Sequence, residues 1–520
     1  MLTLPKAVTC CLPVLLAACA TLPAREDPVP SSAFADTCGT RLGRSLCPAA
    51  AAQAGRTGVH ALPNGRDAFA ARYLLARAAE RSIDVQYYIW HADTSGRLLA
   101  HALWEAAERG VRVRMLLDDA NTQGLDPLLA TLDAHPNIEV RLFNPFANRG
   151  WRAGDYLGDF RRVNRRMHNK SFTVDNQVAV IGGRNIGDEY LGADSVVAFA
   201  DLDVIAAGTV VREVSRSFDT YWNSASAYPV ASLLPRPSDA LRAQLRDEWT
   251  TVRDAPPAGR YLEAVRNQRF VEAILAGTLS VEWVSARLLA DDPAKVVKPP
   301  EDTALHMLPQ LEEALGRPSN ELFLVSPYFV PGREGTDALL AIAARGVKVS
   351  ILTNSLAATD VAPVYAGYSR YREELLRGGV HLYELKPTAQ PSGEERERRH
   401  GSGGSSGGGS SGASLHAKTF AVDRQRVFVG SFNLDPRSAR LNTEMGVVLE
   451  SPTLATRLAR AFDDAPRYAY EVRLMGDGRG LEWIERTGEG EVHHSSSPHA
   501  GALRRLWINF LSVLPIEWLL

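Results

Sequence analysis

The sequence predicts an α/β protein, a duplicated α/β/α sandwich whose two pseudo-symmetric halves share one active site. Three observations carry that expectation. A pattern at residues 168–185, HNKSFTVDNQVAVIGGRN, returns at 416–433 as HAKTFAVDRQRVFVGSFN, with His, Lys, Asp, Gly and Asn at identical spacing. Ahead of each copy stands a strand–helix–strand unit: SIDVQYYIW at 82–90 matches ELFLVSPYFV at 321–330. Short apolar strands alternating with alanine-rich helical spacing indicate parallel βαβ units. Similar pairs, Phe218-Asp219 and Phe462-Asp463, follow the copies, so the repeat extends over most of residues 62–475.

Taken in order, residues 1–19 read as a lipoprotein export signal. Lys6 opens it, a short apolar run follows, and Leu16-Ala17-Ala18-Cys19 looks like a bacterial lipobox. Cleavage before Cys19 would leave a multiply acylated cysteine, and several acyl chains anchor stably. Ala20, standing where Asp would retain the protein at the inner membrane, fits a periplasm-facing lipoprotein of the outer membrane in the bacterial envelope. Cys10 and Cys11 leave with the signal, so Cys38 and Cys47 remain, an even pair that an oxidising compartment turns into a disulfide. Residues 20–61, rich in Pro, Ala, Ser and Thr, read as a flexible tether.

The N-terminal half is expected over 62–234, with a helix at 67–80, a strand at 82–90, a helix at 97–109 and a strand at 111–117 that ends in Asp118-Asp119. Residues 235–300 are less periodic and read as a linker with some helix. The C-terminal half is expected over 301–475, with a strand at 321–330, a helix at 336–345 and a strand at 347–353; Gly346 mirrors Gly110. Within it, 391–413 is a charged run followed by GSGGSSGGGSSG, which cannot bury a core and reads as a flexible insertion. Residues 476–520 form a tail. Its His493, His494 and His499 read as part of a solvated loop, and its apolar end, LRRLWINFLSVLPIEWLL, is expected to pack on the body, with a membrane-interface contact as the sharper alternative. Pro515 and Glu517 argue against a spanning helix.

The repeated motif carries the chemistry. His and Lys stand two apart, so on an extended strand they project from one face. Turn residues follow at Asp175-Asn176-Gln177 and Asp423-Arg424-Gln425, then a short apolar strand ends in glycine, whose backbone can approach an anion. Each copy thus offers an imidazole, an ammonium, glycine amides and an Asn amide to one small space. That is the composition of a phosphate site, present twice.

This twin H-x-K-x-x-x-x-D pattern resembles the phospholipase D superfamily. The stretches VQYYIWHADTSGRLL, GVRVRMLLDD, GGRNIGDEY, TNSLAATD and NTEMGV are similar to its cardiolipin synthase branch, most like the C-type lipoproteins. Tyr365, where His would be expected, and the insertion before His416 depart from that pattern without touching the motif. The resemblance implies His168 as nucleophile forming a phosphohistidine and His416 as acid/base, although the sequence alone does not distinguish them. It implies Lys170, Lys418, Asn185, Asn433, Ser431 and Gly183 around the phosphate. Asp201 and Glu444, at comparable offsets after the two histidines, are implied as the carboxylates that orient them. Asp175 and Asp423 belong to the motif, with a structural role holding its turn. No metal and no other cofactor is required.

The implied reaction is transfer of a phosphatidyl group to phosphatidylglycerol, with phosphatidylethanolamine as the donor. The implied partners are these membrane phospholipids, the membrane itself through the lipid anchor, and a small accessory protein. Water as acceptor would make a hydrolytic phospholipase D. Of 520 residues, 58 are basic and 60 acidic, for a formal charge of −2, so no nucleic acid partner is expected. A nuclease or other phosphodiesterase would call for a basic groove. A non-catalytic lipid-binding lipoprotein would be expected to have lost a motif residue, and none is missing.

Overall fold

The computed structural model describes residues 21–25, 29–192, 201–387, 415–476 and 478–520. The expected lipobox with Cys19 and the 391–413 insertion lie outside the described residues. Among these residues the strands form two sheets.

The first half supplies β1 (Thr57–Leu62), β2 (Ser82–Tyr87), β3 (Arg112–Asp118), β4 (Ile138–Phe143), β5 (Ser171–Val174), β6 (Val178–Gly182), β7 (Asp203–Gly208), β8 (Ala227–Pro229) and β9 (Glu282–Val284), in the order β8-β4-β3-β2-β5-β6-β7-β1-β9. The second half supplies β10 (Ala286–Ala290), β11 (Glu321–Val325), β12 (Lys348–Asn354), β13 (His381–Leu385), β14 (Thr419–Val422), β15 (Arg426–Gly430), β16 (Met445–Leu449), β17 (Ala469–Leu474), β18 (Leu481–Thr487) and β19 (Gly490–His494), in the order β10-β16-β15-β14-β11-β12-β13-β17-β18-β19. The two orders superpose strand for strand from β4-β3-β2-β5-β6-β7-β1 onto β13-β12-β11-β14-β15-β16-β10. The expected βαβ units are there: β2, β3 and β4 run parallel, as do β11, β12 and β13.

Local chemistry explains the crossover helices. Asn64 caps the helix Gly65–Ala78 by accepting from the amides of Arg66 and Asp67, and Asp93 caps Thr94–Glu108 through the Gly96 amide. Gly110 and Gly346, at φ 87° and 85°, take the left-handed turn that ends each first crossover helix before the next strand.

Several segments differ from expectation. The strands expected at 82–90 and 321–330 stop at Tyr87 and Val325. Beyond them the backbone turns to other partners: the Ile89 amide donates to Asn185 and Trp90 bridges to Ile186, while Phe329 bridges to Leu434. The end of the expected tether carries the helix Arg41–Ala52, pinned by a Cys38–Cys47 disulfide, and then β1. The expected linker likewise ends in β10, after helices Asp239–Asp254, Pro256–Asn267 and Phe270–Leu275 that bury Trp249, Tyr261, Phe270 and Ile274 on the first half. β1 and β10 occupy equivalent places, each antiparallel to the last strand of its half's central sheet. His493 and His494 lie on β19, a hairpin strand beside Glu482 and Glu485, rather than in a loop. The two halves meet through one buried apolar cluster containing Ile181, Val204, Val429 and Val447, contributed by β6, β7, β15 and β16.

Candidate active site at the seam of the two halves

Each motif enters its sheet at a strand that pairs antiparallel with the first of its half's three parallel strands: Gln86 of β2 lies opposite Ser171, and Val325 of β11 opposite Thr419. His168 and Lys170 therefore sit beside the C-terminal end of β2, and His416 and Lys418 beside that of β11. Parallel sheets gather ligand sites at such ends. The motif aspartates go to the other end. Asp175 accepts the amides of Glu80, Arg81 and Ser82 at 3.1, 2.8 and 2.9 Å. Asp423 accepts those of Ser319, Asn320 and Glu321 at 2.9, 2.7 and 2.9 Å. Asp175-Asn176 and Asp423-Arg424 take φ near 50°, a tight hairpin turn. These aspartates fasten the start of β2 and of β11, a strand's length from the imidazoles.

The seam brings the histidines together and crosses their partners. His168 Nδ1 lies 2.8 Å from Glu444, and His416 Nδ1 lies 2.8 Å from Asp201. Each carboxylate serves the histidine of the other half, not the one it follows in sequence. With Nδ1 engaged, Nε2 of each ring is the nitrogen left for chemistry. Backbone bonds lock the crossing: the His168 amide donates to Thr443 O at 2.8 Å, and the Thr443 amide to Arg166 O at 2.9 Å.

Lys170 and Lys418 lean over the peptide carbonyls of His168 and His416. Burial pushes Lys170 well below the usual lysine range and Lys418 down to about 8. An anion between two such ammonium groups restores their charge, which suits them to a phosphodiester. Burial, Lys170 and Lys418 also hold His168 well below the ordinary histidine range. His416 is lowered by burial and Lys418, with Asp201 pulling the other way.

The carboxylates diverge. Burial pushes Glu444 up to about 7, against Lys170 and the hydroxyls of Ser431 and Ser438. Burial alone would raise Asp201 too, but His416, Arg184 and Lys418 override it and hold that carboxyl below its usual range.

The expected phosphate ligands divide accordingly. The Asn185 amide nitrogen is buried without a hydrogen bond and can donate to a phosphate oxygen; the Asn433 amide oxygen is also unbonded, and since an oxygen only accepts, Asn433 would meet phosphate through its amide nitrogen, so both side chains have unused capacity at the site. Gly183 and Ser431 do not. The Gly183 amide donates to Leu202 O, and a Cβ there would come within 2.5 Å of Asp201 Oδ1. The Ser431 hydroxyl binds Glu444 and its amide donates to Met445 O. In the described structure both positions contact the carboxylates.

Several residues that bear on the site are absent from the sequence-based set. Asp118, the last residue of β3, accepts the Met167 amide at 2.7 Å and pairs with Arg166. Asn354, the last residue of β12, holds Leu415 by both its amide groups. Acidic and amide residues closing a parallel strand were the available signal. Tyr88 packs edge-on to His168 at 4.8 Å, and Tyr190 leans on His416 at 4.9 Å. Ser438 donates to Glu444 at 2.8 Å, and Asp291, paired with Lys295, accepts the Glu444 amide at 2.7 Å. These last contacts join residues remote in sequence, and no local pattern announces them.

Comparison with known proteins agrees with this geometry. A family model described as "Cardiolipin synthase, PLD-like domain" matches residues 74–222 and 311–465. Cardiolipin synthase C of Escherichia coli K12 is 48% identical over 92% of this chain and 100% of its own length. Cardiolipin synthase A of Pseudomonas entomophila is 29% identical over 86% of this chain and 75% of its own. Among solved structures, a phosphatidylserine synthase of Haemophilus influenzae shares the fold at 14% identity, with a TM-score of 0.55 over 89% of this chain and 95% of that one.

Proposed function

Because the chain belongs to the cardiolipin synthase family of phospholipase D-like phosphatidyltransferases, we propose that it makes cardiolipin in two displacements at the crossed site. His168 Nε2 attacks phosphorus of a donor phospholipid, and the P–O bond to the head group breaks. His416, protonated, gives its proton to the departing alkoxide, leaving a phosphatidyl group on His168. A terminal hydroxyl of phosphatidylglycerol then attacks phosphorus, His416 takes its proton, and the P–N bond breaks. Lys170, Lys418, Asn185 and Asn433 hold the non-bridging oxygens as charge builds on them.

The crossed histidine–carboxylate pairing carries this reading, because its two halves differ in the required sense. A nucleophilic imidazole must be neutral with its proton on Nδ1, and the strongly lowered His168 beside Glu444 suits that part. A general acid must keep a proton, and His416 has a firmly ionised partner in Asp201. Phosphatidylethanolamine as donor, with ethanolamine released, follows from likeness to the C-type relative. A periplasm-facing outer-membrane location through acylated Cys19 is proposed from the lipobox at 16–19 and from Ala20, and dependence on a small accessory protein from the resemblance to the C-type branch. No helix among the described residues is long and apolar enough to cross a membrane.

The test is product analysis by mass spectrometry in mixed micelles of phosphatidylglycerol and phosphatidylethanolamine. Cardiolipin with ethanolamine is expected. Cardiolipin with glycerol would move the donor role to phosphatidylglycerol. Phosphatidic acid without cardiolipin would replace synthesis by hydrolysis.

A further inference from the structure

The C-terminal helix Ala502–Ser512 buries one apolar face and leaves a second one outside. Ile508 and Leu511 join the core of the second half, while Leu503, Leu506, Trp507 and Phe510 are 83, 66, 52 and 53% exposed. These four stand at i, i+3, i+4 and i+7, a continuous stripe along the helix. Trp507 and Phe510 stack at 5.6 Å, and exposed Val513 and Trp518 continue the surface. A contiguous exposed apolar surface of this size marks a place where something apolar binds.

A second patch adjoins it from the other half. Trp151, Tyr156, Leu157 and Phe160 are exposed on the segment that runs into Arg166 and His168. A chain of ring contacts, Phe146 to Tyr156 to Phe160 to Trp518, joins the two patches.

Both ends of this C-terminal segment are tied to chain near the active-site residues: Asp360 acts on Lys418, and Arg437 follows Asn433 by four residues. At its start, Arg504 donates to Thr359 O, beside Asp360, whose carboxylate takes the Tyr328 hydroxyl. At its end, Arg437, close in sequence to Asn433, binds Leu519 O on one side and Asn164 on the other. Around this face, three arginines stand without a carboxylate, against one such acid, Asp360. Among the described residues Arg161, Arg504 and Arg505 pair with no carboxylate, whereas Asp159 and Glu517 are neutralised by Arg162 and Arg370.

We propose that this composite face docks onto an anionic phospholipid bilayer, with the tryptophans at head-group depth and the cleft mouth at the surface. The inference rests on the phosphatidyltransferase reading, since a lipid substrate gives the cleft reason to meet a bilayer. Its chemistry suits a lipid surface: an apolar stripe, amphipathic tryptophans and unneutralised arginines.

The experiment uses the full chain with Cys19→Ser, so that no acyl anchor masks the effect, and vesicles of phosphatidylglycerol and phosphatidylcholine with brominated acyl chains. Leu506→Glu/Phe510→Glu is expected to weaken vesicle binding at least about tenfold, since two large apolar side chains no longer leave water. Turnover of short-chain, monomeric phosphatidylglycerol and phosphatidylethanolamine supplied together is expected to stay unchanged. Trp507→Tyr is expected to lose a measurable share of bromine quenching. Unchanged vesicle binding by the double variant, or unchanged quenching by Trp507→Tyr, overturns the proposal. So does a wild-type dimer that the double variant dissolves while vesicle binding persists, which would make the face a contact between chains. Vesicle binding through the stripe by a chain that turns over no phospholipid would sink the enzymatic reading and leave the docking face standing.

Discussion

The two half-sites carry the same motif residues and give them different surroundings. His168 meets Glu444, a carboxyl pushed up to about 7 by burial and steadied by two serine hydroxyls. His416 meets Asp201, a shorter carboxylate held ionised beside Gly183. The His168 side chain is 9% exposed and that of His416 23%. Even the strand-end braces differ: Asp118 with Arg166 on one side, the neutral amide of Asn354 on the other. A duplicated motif thus yields one site with two roles, because roles follow from environment when the side chains are identical.

The largest expected effect breaks the pair outright. His168→Ala and His416→Ala should each lower phospholipid turnover by at least about 10⁴-fold. They should part company on a phosphodiester with a p-nitrophenol leaving group, which departs without a proton. There His416→Ala still releases a burst of nitrophenol and traps a phosphohistidine, and His168→Ala shows neither. The reverse pattern would exchange the two roles.

The carboxylates come next, and they should move opposite limbs of the pH profile. His168 is nucleophilic only while Glu444 is ionised, since a protonated Glu444 donates to Nδ1 and leaves the ring proton on Nε2. Because burial raises Glu444 to about 7, kcat/KM of the intact enzyme should rise as pH passes upward through about 7. Glu444→Gln should cost about a hundredfold and abolish that limb. Asp201→Asn should cost a similar factor but leave the acidic limb in place. It should shift the basic limb to lower pH, because His416 without the negative partner gives up its proton sooner. Stability carries a matching sign. Between the ordinary glutamate value of 4.5 and about 7, the folded protein binds a proton at Glu444 that the unfolded chain releases. Its contribution to stability is therefore greatest at low pH and falls as pH rises through that window. The melting temperature of Glu444→Gln should gain on the parent from pH 5 to pH 8.

A smaller change probes the same contrast through space alone. A Cβ at position 183 would stand 2.5 Å from Asp201 Oδ1, so Gly183→Ala must push that carboxylate off His416. A roughly tenfold loss with the basic limb displaced downward is expected, as a weak copy of Asp201→Asn. Ser431→Ala, the equivalent position, should disturb only the acidic limb.

How much of this was legible in the sequence depends on the range of the forces involved. The α/β class, the duplication and the parallel units followed from periodicity, because β2, β3, β11 and β12 carry their own apolar pattern. The motif histidines and lysines, and the turn role of Asp175 and Asp423, followed from spacing within single hairpins. β1 and β10 did not, since TGVHAL and ARLLA are short strands decided by pairing with β7 and β16. Some helix was expected within 235–300, but the helices at 239–275 were not placed, because their apolar faces only make sense against the first half. Asp201 and Glu444 were legible as partners, but their crossing was not, because which histidine each reaches is settled at the seam. Gly183 and Ser431 were expected around the phosphate, and the contacts they make here, to Asp201 and Glu444, were not legible, because they are set by the folded site.

The last test concerns a clamp that acts on one half-site. Asp291 and Lys295, from the segment between the halves, form a fully buried ion pair at 3.0 Å, and Asp291 accepts the Glu444 amide at 2.7 Å. Lys295 also holds Ser438 O, and the Ser438 hydroxyl holds Glu444. Lys295→Met strands the Asp291 carboxylate in an apolar interior and should cost about 3–5 kcal/mol of stability in denaturant unfolding. Asp291→Asn/Lys295→Met removes both charges, so its cost should be smaller than that of the single change. If the clamp positions Glu444, the stable double variant will show a modest loss of kcat with its acidic limb displaced from about 7, and an unmoved basic limb. An unchanged pH profile would reduce the ion pair to a fastening between halves, and the difference between the two half-sites would then rest on the carboxylates and their immediate hydroxyls alone.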